Sequence, residues 1–80
     1  MKLRVLISPR PAVLDPEGSA VAQALSELGY DEVAEVRAGK VIWLELDTDD
    51  PDRARRQASE MCEKLLANPV IEDYEVEIEP

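Results

Sequence analysis

Histidine is absent from this 80-residue chain, and cysteine occurs once, as Cys62. Losing histidine removes the commonest general base, the commonest metal ligand and the usual near-neutral proton switch. One thiol cannot close an internal disulfide, which excludes a secreted disulfide scaffold. Glycine is scarce, with three residues, and Gly18 stands alone at a helix start rather than in a phosphate-cradling loop. Basic residues are outnumbered 9 to 18, so the net charge is −9. Such a chain repels phosphate backbones, which argues against nucleic acid or an anionic membrane as a partner. A continuous apolar run is missing too. The stretch Met1–Ile7 mixes charged and apolar residues and then meets Pro9 and Pro11. No signal peptide is visible, and the cytoplasm is the expected compartment.

What is present points to a small folded domain. The hydrophobic fraction is 45% and the charged fraction 34%, a balance unlike that of a disordered chain or a membrane span. Eighty residues allow one domain, 1–80, and bury only about 60% of the surface of the unfolded chain. A core this thin favours a permanent partner.

Leu3, Val5 and Ile7 alternate with Lys2, Arg4 and Ser8, which predicts a half-buried strand over Lys2–Ser8. Asp15-Pro16-Glu17 is a helix start: an N-cap carboxylate, a proline where no donor is needed, and a negative charge at the positive dipole end. The helix runs to about Leu28 with Val21, Ala24, Leu25 and Leu28 as its buried stripe, and Gly29 stops it. Glu32–Arg37 reads as a second strand, Ala38-Gly39 as a tight turn and Lys40–Asp47 as the clearest strand. Asp50-Pro51-Asp52 repeats the helix start. Its helix runs to about Ala67, with Asn68 in the left-handed C-cap position and Pro69 blocking continuation. Asp73–Glu79 alternates as a terminal strand. The order β-α-β-β-α-β predicts an α+β, ferredoxin-like two-layer sandwich, an antiparallel sheet with two helices on one face. First and last strands then pair, placing Lys2 and Arg4 beside Glu75 and Glu77.

Little in this chain carries chemistry. Cys62 lies on an apolar stripe with no histidine to activate it, so it reads as an inert buried thiol. The acids Asp47, Asp49, Asp50 and Asp52 fail the calcium-loop pattern, because the sixth position is Asp52 and the twelfth Ala58. Arg53, Arg55 and Arg56 have neighbouring acids to pair with. Glu75, Glu77 and Glu79 form the wet face of a strand. Trp43 is more informative. With Ile42, Leu44 and Leu46 facing the helices, Trp43 points to the open face of the sheet with Val41 and Leu6. That makes the three a candidate self-association patch.

Three stretches go further: Val13-Leu14-Asp15-Pro16-Glu17-Gly18, Val36-Arg37-Ala38-Gly39-Lys40, and the run from Met61 through Leu65-Leu66-Ala67-Asn68-Pro69 to Val70-Ile71-Glu72-Asp73-Tyr74. In this order and spacing the chain resembles the PurS family, the small subunit of phosphoribosylformylglycinamidine synthase. The resemblance covers nearly the whole chain. It implies a PurS-like fold and a role in purine biosynthesis within an ATP-dependent glutamine amidotransferase. There, formylglycinamide ribonucleotide is converted to its amidine. It also implies two partners, a large synthetase subunit that holds ATP and Mg and a glutaminase subunit that releases ammonia. This chain would form dimers or tetramers and bridge the two, with no catalytic residue, cofactor or metal of its own.

Carried over residue by residue, the family motifs mark Asp15, Gly18, Arg37, Gly39, Lys40 and Asn68 as partner-contact candidates. Arg37 and Lys40 stand out, since a hairpin tip needs no two cations. Ser8-Pro9-Arg10-Pro11-Ala12 departs from the family pattern. Two other classes fit the same fold: a free-standing metabolite sensor, and an acylphosphatase-type hydrolase, for which Arg10 is the one candidate anion ligand.

Overall fold

A computed structural model describes residues 1–79. The elements are β1 (Lys2–Pro9), α1 (Pro16–Glu27), β2 (Lys40–Glu45), α2 (Pro51–Met61), a π-helical turn over Cys62–Leu66, and β3 (Glu72–Ile78). The three strands form one antiparallel sheet in the order β2-β1-β3. This is the expected α+β class, an antiparallel sheet with two helices, and the ends of the chain pair as expected. Arg4 lies opposite Glu77 and bonds to it at 2.5 Å.

The alternation of β1 decides where the core sits. Leu3, Val5 and Ile7 are buried on one face and meet Ala54, Ala58 and Cys62 from α2 and its π-turn. Ile42 and Leu44 of β2 and Val76 of β3 pack around them. Each fully buried Val or Leu contributes roughly 1.5–3 kcal/mol. The small alanines of α2 let its backbone approach the sheet. Arg55 then reaches over the edge to donate to the Val76 carbonyl at 3.1 Å.

Both helix starts form as predicted. Asp15 accepts from the Gly18 N–H at 2.8 Å, and Asp50 from the Asp52 and Arg53 N–H groups at 3.0 and 3.4 Å. Gly29 ends α1 at φ 98°, with Tyr30 N–H on the Leu25 carbonyl and Gly29 N–H on that of Ser26. This is the Schellman arrangement that only a residue free to take positive φ completes cheaply.

Four expectations are corrected. Residues 32–37 are not a strand, because the end of the segment is pinned elsewhere: Arg37 donates to the carbonyls of Val13 and Arg10, and the next residue, Ala38, donates its N–H to Asp15 at 2.7 Å. Ala38-Gly39 is not a tight turn, since Gly39 has no positive φ. Its role is close approach, as a Cβ there would lie 2.5 Å from the Ile7 carbonyl oxygen. Asn68 is not left-handed, because Pro69 pushes the residue before it towards extended backbone. Its carbonyl instead accepts from Ile71 and Glu72 in a turn. Finally, the α1 stripe is not buried. Leu28 is 73% exposed and Val21 43%, and no α1 side chain enters either core cluster.

The shape follows from that last point. The radius of gyration is 15.8 Å and the extents are 48 × 27 × 14 Å. A compact chain of this length has a radius near about 12 Å, and β1 alone spans about 26 Å. The excess length is an arm, made of α1 and residues 33–39, that projects beyond the sheet.

Candidate functional site

The family-motif residues gather where the arm leaves the sheet. Asp15 sits at their centre. One carboxylate oxygen caps α1 through Gly18, and the other accepts from Ala38. These two N–H bonds, aided by the charge of Arg37, hold its carboxyl below the usual range. Gly18 is buried, and only glycine fits there, since a Cβ would stand 2.2 Å from the Val36 carbonyl oxygen. Arg37 donates to the Val13 carbonyl at 3.2 Å and the Arg10 carbonyl at 2.5 Å, and lies 3.7 Å from Glu35. Arg10 in turn donates to the Pro69 carbonyl at 2.5 Å and pairs loosely with Asp73 at 3.6 Å. Asn68 stands next to that carbonyl, its N–H bonded to Glu72 at 2.8 Å.

Asp15, Gly18, Arg37, Gly39 and Asn68 are thus brought to one end of β1 as braces between three loops. Lys40 differs. It is exposed at the start of β2, and its ammonium has no hydrogen-bond or ion-pair partner among the described residues. Sequence reasoning gave Arg10 only a hydrolytic role, and its bracing of two loops was missed. Its place between Pro9 and Pro11, on a stiff loop, was the available signal.

The opposite surface is the open face of the sheet. Leu6 pairs with Val41 and Arg4 with Trp43 across β1 and β2, so all four side chains share that face. Trp43 is 67% exposed, in agreement with the reading of the strand from its alternation. Two open hollows lie elsewhere, one beside the motif residues and one beside α2 on the helix-covered side of the sheet. One of 420 Å³ is lined by Val13, Leu14, Ser19, Val36 and Arg37. Another of 610 Å³ is lined by Leu46, Gln57, Met61, Lys64, Leu65 and Leu66.

No catalytic constellation converges on either. Cys62 is fully buried, and burial pushes its thiol up. Tyr74 donates to Glu63 at 2.7 Å, which raises its own pKa and faces no cavity named above. Among the described residues no group of three or more acids or cysteines is placed to hold a metal ion. No helix of the described residues is long and apolar enough to cross a membrane.

The fold defines a small α+β module of three antiparallel strands and two helices. The family model for PurS, described as phosphoribosylformylglycinamidine (FGAM) synthase, matches residues 2–80. The PurS subunit of that synthase from Synechocystis is 51% identical over 94% of this chain and 75% of its own length. The subunit from Bacillus subtilis is 50% identical over 98% of this chain and 92% of its own length. Among solved structures, Bacillus subtilis PurS superposes with a TM-score of 0.87 at 49% identity, covering 99% of this chain and 98% of that one. A chain of the PurLQS structure from Thermotoga maritima gives 0.85 at 36% identity, covering 95% and 93%. The chain belongs to the PurS family of phosphoribosylformylglycinamidine synthase subunits.

Proposed function

We propose that this chain is the non-catalytic small subunit that bridges the synthetase and glutaminase subunits and supports ammonia transfer from glutamine to formylglycinamide ribonucleotide. The observation that carries the reading is the match over nearly the whole chain to a component of a solved PurLQS structure. ATP and Mg belong, in this proposal, to the large partner, and the complex works in the cytoplasm as part of purine biosynthesis. The chain is a homo-oligomer within it. The exposed Trp43, with Val41 and Leu6, supports the open face of the sheet as a contact between copies. Of the partner-contact candidates, Lys40 is the one whose charge is left free for another chain. Asp15, Gly18, Arg37, Gly39 and Asn68 act by shaping the loops around it.

The test is glutamine-driven amidine synthesis by the large and glutaminase subunits, with and without this chain, beside an ammonia-driven control. The chain should restore the glutamine-driven rate while the ammonia-driven rate needs no help. An unchanged rate together with no co-elution overturns the bridging role. A ligand-dependent rise in melting temperature of the chain alone would point to the metabolite-sensor class instead.

A further inference from the structure

We propose that Arg55 is a strap across the outer edge of β3. It closes that edge to strand addition and keeps the sheet from growing head to tail into an open filament.

The sheet has two outer edges, because β2 and β3 are each bonded to β1 alone. The alternation of an antiparallel ladder tells which backbone groups face out. Met1 and Leu46 exchange both of their backbone bonds, so the odd-numbered residues of β1 bond to β2. Arg10 N–H reaches the Ile71 carbonyl and Glu79 N–H the Lys2 carbonyl, so the even-numbered residues bond to β3. Val5 and Val76 are therefore a pair without mutual hydrogen bonds. Tyr74, Val76 and Ile78 turn their N–H and C=O groups away from the sheet. By the same count Val41, Trp43 and Glu45 turn theirs outward from β2.

Two unlike open edges are a hazard. β2 of one copy can add to β3 of the next, and each such contact leaves an edge free at both ends to repeat it. Charge stops only part of this. Residues directly opposite in a sheet share a face, so a second β3 laid antiparallel alongside the first sets Asp73, Glu75 and Glu77 against the same acids. β2 meets no such barrier, since its side chains on that face are Val41, Trp43 and Glu45, with one acid among the three.

Arg55 supplies what charge does not. It is exposed on α2, and its Nη1 donates to the Val76 carbonyl at 3.1 Å. That carbonyl is the central outward acceptor of the edge. An incoming strand finds it taken and a charged side chain lying across its path. The chain holds 18 acids, and the neighbouring aspartates were the expected partners for this arginine. Arg55 nevertheless makes no ion pair among the described residues and turns to the edge instead. Tyr74, the next residue with outward backbone groups, is tied on the same side. Its hydroxyl donates to Glu63 of the π-turn at 2.7 Å, so two side-chain bonds bind β3 to the helical layer that shields it.

The test compares the parent protein with Arg55→Ala and with Arg55→Met, which keeps an unbranched stem and loses the donor. Circular dichroism first establishes that each is folded, as expected for a change at an exposed position. Light scattering then follows the mass as protein concentration rises, and hydrogen exchange follows the amides of Tyr74, Val76 and Ile78. The expected result is a parent mass that levels off and variant masses that climb past twice that value, with slower exchange at those three amides in the large species. Folded variants that keep the parent's mass overturn the strap. Growth with unchanged exchange along β3 overturns it too, because another surface is then responsible. Growth of Arg55→Ala without growth of Arg55→Met overturns the hydrogen bond as the closing element.

Discussion

The two helices of this protein begin alike and end in different surroundings. Asp15-Pro16-Glu17 and Asp50-Pro51-Asp52 cap in the same manner, each with its aspartate on backbone N–H groups. Past the cap they part. α2 buries Ala54 and Ala58 against β1, whereas α1, with the larger Val21, Leu25 and Leu28, buries only Gly18. Hydrophobic spacing thus makes a helix and orients its stripe, but it does not provide the surface to cover that stripe. α2 has the sheet. α1 has only the arm, and none of its side chains joins either core cluster.

That contrast can be broken at several points. The largest effect falls in the core: Leu3→Ala should lower unfolding stability by about 2–5 kcal/mol, read from urea melts. Leu28→Ala at the far end of α1 should stay within about 0.5 kcal/mol in dilute protein. A large loss there at low concentration would mean that the arm packs on its own sheet. Next comes Gly18→Ala, where the added methyl meets the Val36 carbonyl. Overpacking of this kind costs about 1–3 kcal/mol, and faster amide exchange at Ala38 should accompany it.

The caps sharpen the comparison further. Asp50→Ala should cost about 1 kcal/mol, the ordinary price of an N-cap. Asp15 joins two segments, and its carboxyl is held low in the folded state. Its stabilisation is fully present above the ordinary aspartate value of about 3.9 and is lost as pH falls through the depressed folded value. Asp15→Asn should therefore flatten the acid limb of the stability curve below that range, and an unchanged limb would remove Asp15 from the bracing role. The smallest effect on the fold itself belongs to Trp43→Glu, within about 0.5 kcal/mol because the indole is exposed. Its readout is mass on a light-scattering column, where a shift towards monomer is expected. Lys40→Glu should leave melting unchanged and weaken co-elution with the synthetase and glutaminase subunits.

Much of this was legible in the residues. The alternation of Leu3, Val5 and Ile7 marked the buried face, and the prolines and aspartates marked both helix starts. Trp43 could be placed on the open face because period two leaves no other choice once Ile42 and Leu44 are inward. The partner candidates were visible as a motif, but their work was not. Arg37 looked like a free cation at a hairpin tip. It is a brace, because the carbonyls of Val13 and Arg10 come within its reach only after the loops have folded together.

The sequence by itself determined the local elements, the acidic surface, the lack of a histidine-based active site and the motifs of the PurS family. These depend on residues within a few positions of one another, where propensity, capping and period act directly. Only the tertiary structure decided that residues 32–37 leave the sheet, that α1 stays uncovered, that Gly39 serves close approach rather than a turn, and that Gly18 at its helix start does the same. Those outcomes turn on contacts between segments far apart in the chain, Gly18 with Val36 and Gly39 with Ile7. Local pattern cannot rank one long-range partner against another, because the same alternating strand satisfies its backbone equally well on its own sheet or on that of a second copy.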